Sequence, residues 1–358
     1  MKIGALLVAA LTILGLGALV WHLRQGGDDI AVSRGTTLTI YSTTDTGVFR
    51  PVIADFRRLH PTIAVRYEEL DAAPLYRRYL DEAKRGQPRA DLLLSSAMDL
   101  QAKLVNDGYA ARHSSANVRA LPSWARWRDE AFGFTFEPAV MVFNRDVMAG
   151  RELPLSRAEL LETLRRDKTF WRNRVGTYDI ERSSVGYLLA SQDARQSSDY
   201  GVLVEAMADT GVQLEDNTAT LLDQLEAREL AMAYNLLGSY AQARADANNK
   251  LVIIYPRDYT LAVSRTAVLP KDGPNPAAAH LFLEYLLSIR GQRLLANESR
   301  LSAVREEVPG RLHQAGMAES QIGPLRPIPL GPGLLVYLDD QKRRRLLASW
   351  HGMIHSAR

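Results

Sequence analysis

The sequence predicts an α/β protein in two lobes, and three observations carry that prediction. Short apolar strands alternate with amphipathic helices along most of the chain. The chain has 358 residues, more than one apolar core ordinarily organises, so two domains of common size are expected. Two long extended runs, Phe132–Asn144 and Leu261–Leu269, have the length and strand character to leave one sheet and enter another. They divide the chain into a first lobe of residues 36–137 plus 264–358 and a second lobe of residues 138–263, with crossings near 136–139 and 260–264.

Composition narrows the function. Hydrophobic residues make up 46% and charged residues 24%, the mix of a soluble globular chain. Lys and Arg number 44 against 41 Asp and Glu, a near balance that argues against nucleic acid as the main partner. Only 7 of those basic residues are Lys, so an isolated Arg is weak evidence for an anion site. Cysteine is absent, which excludes disulfides, thiol catalysis, thiolate metal sites and a lipid-modified N-terminal cysteine.

At the N-terminus, Lys2 precedes a 19-residue apolar run, Ile3–Trp21, followed by His22, Leu23, Arg24 and a Gly26–Asp29 spacer. Residues 1–25 read as an export segment, either signal peptide or signal anchor. Gly15 and Gly17 offer a weak cleavage site, whereas the length and the aromatic, basic flank favour an uncleaved anchor. Either way the remainder is expected in the periplasm, soluble after cleavage or tethered to the inner membrane through residues 3–21.

The mature chain opens with a strand in which Leu38 and Ile40 alternate with Thr37 and Thr39, as in a strand with one buried face. A polar turn follows, Ser42, Thr43, Thr44, Asp45 and Thr46, then Phe49, Val52, Ile53 and Phe56 at helical spacing. Thr44 or Asp45 is placed to cap that helix. Free N–H groups and the positive helix end in such a corner favour an anion or a polar oxygen, although capping alone also accounts for these residues. Ile63, Val65 and Tyr67 mark a second strand, parallel to the first if the intervening helix is a crossover. After a helix at Pro74–Arg85, the corner recurs: the strand Asp91–Ser96 ends in Ser95 and Ser96, ahead of a helix from Met98 to Asn106. Open α/β sheets bind ligands at the carboxyl ends of their strands, which is where both polar turns fall.

A third corner follows the first crossing and a helix at Pro154–Arg166. The strand Val175–Asp179 leads to Ser183 and Ser184 ahead of a helix running to Gln192, with Tyr178 and Asp179 just upstream. Beyond it lie helices at Tyr200–Gly211 and Thr218–Arg228 and strands at Leu230–Asn235 and Leu251–Tyr255, and Ser239 is placed to cap a helix through Arg244. Pro276–Leu287 is amphipathic, with Ala279, Phe282, Leu283 and Leu286 on one face. A last helix, Asp339–His355, carries the run Lys342–Arg345, read as a solvated face. His351 and His355 have metal-pair spacing without a third ligand. No Walker loop, nucleophile elbow or H-E-x-x-H pair is present, so the chain is not expected to be an enzyme and no cofactor is implied.

In the order of its segments the exported chain resembles class II solute-binding proteins of ABC importers. LTIYSTTDTGVFRPVIADF, ADLLLSS, GFTFEPAVMVFN, GTYDIERSSVGYLLA and TAVLPKDGPNPAAAHLFLEYLLSIRGQRLL carry the resemblance. It is greatest to the branch that holds iron(III)-binding proteins and binders of sugar phosphates or phosphoglycerate. The resemblance implies a periplasmic-binding-protein-like type II fold, each lobe a mostly parallel sheet flanked by helices. In the ferric group two adjacent tyrosines follow an Asn-rich strand end, since hard phenolates suit a hard ion. Here that stretch is AYNLLGSY: Leu236 and Leu237 stand in their place, Tyr234 and Tyr240 are not adjacent, and the first polar turn lacks the expected histidine.

The resemblance therefore implies a small anionic solute, phosphorylated or carboxylated, with ferric ion as the lesser alternative. Candidate contacts are Ser42, Thr43, Thr44, Asp45, Ser95, Ser96, Tyr178, Asp179, Ser183, Ser184, Asn235, Ser239, Arg257 and Tyr259. Asp45 and Asp179 would repel a phosphate unless they bind sugar hydroxyls, which keeps a polyol portion or a cationic ligand open. The implied partner is an ABC permease or, if the tethered protein acts as a sensor, a membrane histidine kinase. A monomer is expected, closing about Glu137–Pro138 and Leu261–Val263.

Overall fold

The structure, a computed structural model, describes residues 35–308 and 323–356. The apolar run Ile3–Trp21 lies outside the described residues, and among those described no helix is long and apolar enough to cross a membrane.

Two mixed sheets organise the chain. The first has the order β2-β1-β3-β12-β5-β4, built from β1 (Thr36–Ser42), β2 (Ile63–Glu69), β3 (Leu92–Ser95), β4 (Arg126–Trp127), β5 (Ala131–Gly133) and β12 (Thr266–Val268). Its β2-β1-β3 portion is parallel, as the crossover helix Thr46–Leu59 requires, and β12, β5 and β4 add antiparallel. The alternating pattern of β1 predicts one buried face, yet Leu38 through Ser42 are all buried. β1 lies between two strands, and helices on both faces shield the sheet, so even its polar positions lose water.

The second sheet runs β13-β11-β6-β9-β7-β8, from β6 (Glu137–Asn144), β7 (Val175–Tyr178), β8 (Gln213–Glu215), β9 (Met232–Leu237), β11 (Thr260–Val263) and β13 (Leu325–Pro327), with β10 (Leu251–Ile254) also pairing β6. β7 lies parallel between β8 and β9, whereas β6 is antiparallel to β9, β10 and β11. Phe143, Leu160, Leu164, Trp171, Tyr200 and Val204 form an apolar core beneath this sheet.

Both long extended runs cross between the sheets. One leaves β5 and becomes β6 after Phe134–Phe136; the other leaves β11 and becomes β12 after Ser264 and Arg265. They lie antiparallel, with Val263 opposite Glu137 and the Phe134 N–H donating to the Arg265 carbonyl at 2.9 Å.

The end of the chain departs from the expectation that everything after residue 264 joins the first lobe. β13 pairs with β11 in the second sheet, and the helix Asp340–Ser356 packs on the helix Tyr200–Asp209 through Trp350 and Ile354. Between them the chain returns to the first lobe: the Leu330 N–H donates to the Trp124 carbonyl, and Leu334 packs near the helix Met98–Asn106. Tyr337 then accepts from the Tyr187 hydroxyl in the second lobe. Complementary apolar faces far apart in sequence direct this path, which local periodicity does not encode. On the last helix Lys342, Arg344 and Arg345 are exposed as expected, whereas the Arg343 guanidinium lies 4.6 Å from the centre of the Tyr187 ring.

Candidate functional site

The antiparallel crossings bring one charge from each run together. Glu137 is 0% exposed and Arg265 2% exposed, and their carboxylate oxygen and Nε are 2.7 Å apart. Burying both charges is costly unless the remaining polar positions are satisfied. Glu137 Oε1 also accepts from Thr135 Oγ1 at 2.9 Å, and Oε2 accepts from Ser239 Oγ at 2.5 Å. Arg265 Nη1 donates to Thr44 Oγ1 at 2.8 Å, and its backbone N–H donates to Thr135 Oγ1. Burial works against the Arg265 charge, but Glu137 and the nearby Tyr240 and Tyr67 phenols more than restore it, so its pKa moves upward. The pair thus joins both crossings to Thr44, from the first corner, and Ser239, from the start of the helix Gly238–Asn248.

In the first corner, strand register decides which groups are free. Ser42 lies opposite Glu69 at the ends of β1 and β2, so Glu69 reaches the following helix. Glu69 Oε2 accepts from the Thr46 N–H at 2.7 Å and from Thr46 Oγ1 at 2.8 Å. Neither Thr44 nor Asp45 caps that helix, as the sequence suggests; a carboxylate from the neighbouring strand does so. Four more amides of the first two corners are also used: Thr43 N–H donates to the Leu94 carbonyl, Thr44 N–H to Ser42 Oγ, Ser96 N–H to Thr43 Oγ1 and Ala97 N–H to Ser95 Oγ. Five hydroxyl residues thus brace two strand ends against each other. Asp45 is half-buried and turns outward, accepting from the Tyr240 hydroxyl of the opposite lobe. Tyr67 donates to the Thr44 carbonyl at 2.6 Å.

In the second lobe Ser183 caps the helix Ser184–Gln196, accepting from the Gly186 N–H at 3.2 Å. Gly186 has no substitute there, because a Cβ would lie 2.4 Å from the Tyr178 Cβ. The buried Tyr178 hydroxyl meets Thr218 Oγ1 at 2.6 Å, and burial pushes this phenol up to about 12. Ser184 is half-buried in the first turn, and Asp179 Oδ1 accepts from the Glu181 N–H.

Four sequence candidates have other commitments. Asn235 Nδ2 and Tyr259 Oη donate to Asp193, at 2.6 and 2.7 Å, and Tyr234 Oη donates to the same carboxylate at 2.8 Å. Arg157 completes this buried hub, with Nη2 3.2 Å from Asp193 and Nε bonded to the Tyr234 hydroxyl. Arg257 is exposed in the β10–β11 connection, its N–H bonded to the Leu155 carbonyl. Ser239, in turn, lies inside its helix and spends its hydroxyl on Glu137 instead of capping.

Sequence reasoning passed over Glu137, Arg265, Tyr67 and Tyr240 as site residues. A signal existed for the first two: each is a lone charge in an otherwise apolar extended run, where an unpaired charge is not tolerated.

A family model described as bacterial extracellular solute-binding protein matches residues 38–298. The chain belongs to this family. Its structure is similar to a crystal structure of the substrate-binding protein of an ABC transporter from Agrobacterium tumefaciens, with 37% identity and a TM-score of 0.84, covering 92% of this chain and 96% of that one. As a member of the family, the chain is an extracellular solute-binding protein of the ABC-transporter type, in the two-lobed fold that the sequence predicts. The fold alone is shared with the binding protein AfuA from Actinobacillus pleuropneumoniae, whose structure has fructose-6-phosphate bound. That likeness has 15% identity and a TM-score of 0.74 over 90% of this chain and 99% of that one. It is also shared with iron-bound HitA from Pseudomonas aeruginosa, at 17% identity and a TM-score of 0.69 over 89% and 99%. Comparison with curated proteins gave no match. In this solute-binding protein Leu236 and Leu237 are buried, at 0% and 4% exposure, at the end of β9. Among the described residues no group of three or more His, Asp or Glu is arranged to hold a metal ion.

Proposed function

We propose that this solute-binding protein captures a small organic solute with an anionic group, phosphorylated or carboxylated, and delivers it to an ABC permease. The lobes close about the two crossings, and the solute lies between Thr43, Asp45 and Ser96 on one side and Ser184, Ser239 and Tyr240 on the other. The observation that carries this reading is the Arg265–Glu137 pair, which sits on both crossings and bonds outward to Thr44 and Ser239. Arg265 spends Nε on Glu137 and Nη1 on Thr44, which leaves Nη2 to donate a charge-assisted hydrogen bond to a carboxylate or phosphoryl oxygen. The Thr43, Thr44 and Thr46 amides are internally bonded, which gives Arg265 and the uncapped helix start at Gly238 a larger share in holding the anionic group. Buried aliphatic side chains at Leu236 and Leu237 weigh against ferric ion, because they offer no hard oxygen donor.

Thermal-shift screening of the chain with sugar phosphates, glycerates, inorganic phosphate, thiamine and ferric ion tests the reading. A ligand at 100 times its Kd adds about 2.7 kcal/mol, a readily measured shift. A phosphorylated or carboxylated organic compound is expected to give it, and a large shift with ferric ion alone would overturn the proposal.

A further inference from the structure

Asp45 stands out among the carboxylates around the crossings. Glu137 has Arg265 as its counter-charge, whereas Asp45 has only the neutral Tyr240 hydroxyl, and among the described residues no Lys, Arg or His forms an ion pair with it. Tyr240 is the donor in that contact, since burial holds its phenol well above the usual range, with Asp45 and Glu137 adding to the shift against the opposing Arg265. Glu69 lies on the same corner, bound to Thr46 and likewise without a cationic partner among the described residues. Asp45 is therefore a half-buried carboxylate without an ion-pair partner of its own, since the nearby Arg265 guanidinium is spent on Glu137 and Thr44.

The surroundings are also aromatic. The Arg265 guanidinium is 5.3 Å from the centre of the Tyr240 ring, so this ring already faces one cation. Tyr67 approaches from β2, its hydroxyl on the Thr44 carbonyl one residue before Asp45. A carboxylate beside a tyrosine hydroxyl, without a cation of its own, is the chemistry that receives an ammonium group, through charge and hydrogen bonding together.

We infer that Asp45 and Tyr240 are specificity-determining residues that select a zwitterionic solute, its ammonium group on Asp45 and its anionic group on Arg265. The inference rests on the anionic-solute reading given above and narrows it. A solute with hydroxyls in place of the ammonium would satisfy the hydrogen bonds of Asp45 but leave its charge unbalanced. A solute with an anionic group alone would meet both Asp45 and Glu69 as like charges. The Asp45–Tyr240 contact joins opposite lobes, so a group seated there is felt only on closure and acts on the closed state.

Matched probes test this by titration calorimetry on the full chain: ethanolamine phosphate against glycerol 3-phosphate, and 3-aminopropanoate against 3-hydroxypropanoate. A charge-assisted contact predicts that an amine-bearing member binds about 10- to 100-fold more tightly than its hydroxyl counterpart. Asp45→Asn is expected to abolish that preference by weakening the amine-bearing probe and strengthening the hydroxyl one, while Tyr240→Phe reduces it. Hydroxyl-bearing probes that bind as tightly as the amines, or a preference that survives Asp45→Asn, would overturn the inference and leave the anionic-solute reading standing. Binding of ethanolamine without phosphate as tightly as ethanolamine phosphate, or of none of the four probes, would overturn the inference as well. Melting curves of both variants separate lost selectivity from lost folding.

Discussion

The Arg265–Glu137 pair and the Arg157–Asp193 hub are built from the same groups, a buried guanidinium against a buried carboxylate with hydroxyl donors around them. They differ in where the partners come from. Asp193 collects Arg157, Tyr234, Asn235 and Tyr259, all from the second lobe. Glu137 and Arg265 collect Thr44 from the first corner and Ser239 from the opposite helix, with each charge on a different crossing. A hub confined to one lobe has a single arrangement and serves stability. A pair on both crossings takes one partner from each side, Thr44 and Ser239, so under the closure proposed above its hydrogen bonds would respond to conformation.

Removing the hub carboxylate is expected to have the largest effect. Asp193→Ala leaves the buried Arg157 with only the part-exposed Asp258, 3.2 Å from its Nη1, as counter-charge, and three donors without an acceptor, a loss of about 4 kcal/mol in urea unfolding. The fraction that remains folded should bind solute with an unchanged Kd, and a weakened Kd would erase the contrast between the two pairs. Glu137→Gln keeps the shape but strands the Arg265 charge, and should cost about 3 kcal/mol. Here solute affinity should change as well, read by calorimetry with whichever compound the thermal screen identifies.

Asp99 sharpens the comparison as a buried carboxylate with no ion pair among the described residues. Its first-turn position lets it accept from the Leu100 N–H, but burial outweighs that bond and pushes its pKa up to about 6. A folded value above the unfolded one means that stability is fully present below about pH 4 and is lost as the pH rises through 6. Asp99→Asn should therefore stabilise the protein on the order of 2–3 kcal/mol at pH 8 and hardly at all at pH 3.5. Equal effects at both pH values would show that Asp99 is not the titrating group. The smallest effect is expected from Tyr240→Phe, about 1 kcal/mol of closed-state stability, seen as a larger radius of gyration in solution scattering.

Elements set by local pattern were legible in the sequence. The strand-turn-helix corners, the amphipathic helix Pro276–Leu287 and both extended crossings lie where periodicity puts them, because those signals reside within a few adjacent residues. The site was legible in part. Hydroxyl residues at Ser42, Thr44, Ser95 and Ser183 mark the corners, but their hydrogen bonds are spent within the protein. What decides this is non-local: Glu69 reaches Thr46 through strand register, and Arg265 meets Glu137 only once two distant runs lie side by side. Asn235 and Tyr259 illustrate the same limit, since nothing near them in sequence announces Asp193.

The segment from Ile328 to Asp339 gives the lobes a mechanical property that the two crossings alone lack. Two adjacent antiparallel strands form a ribbon, and a ribbon resists stretching but yields to both bending and twisting. A third tie is anchored on Trp124 and near the helix Met98–Asn106 at one side and on Tyr187 at the other. A third connection whose anchors lie on helices outside the ribbon adds a restraint on torsion. Opening is thus expected to follow a single angular path, so that Thr44 and Ser239 return to Arg265 and Glu137 in register each time the lobes meet.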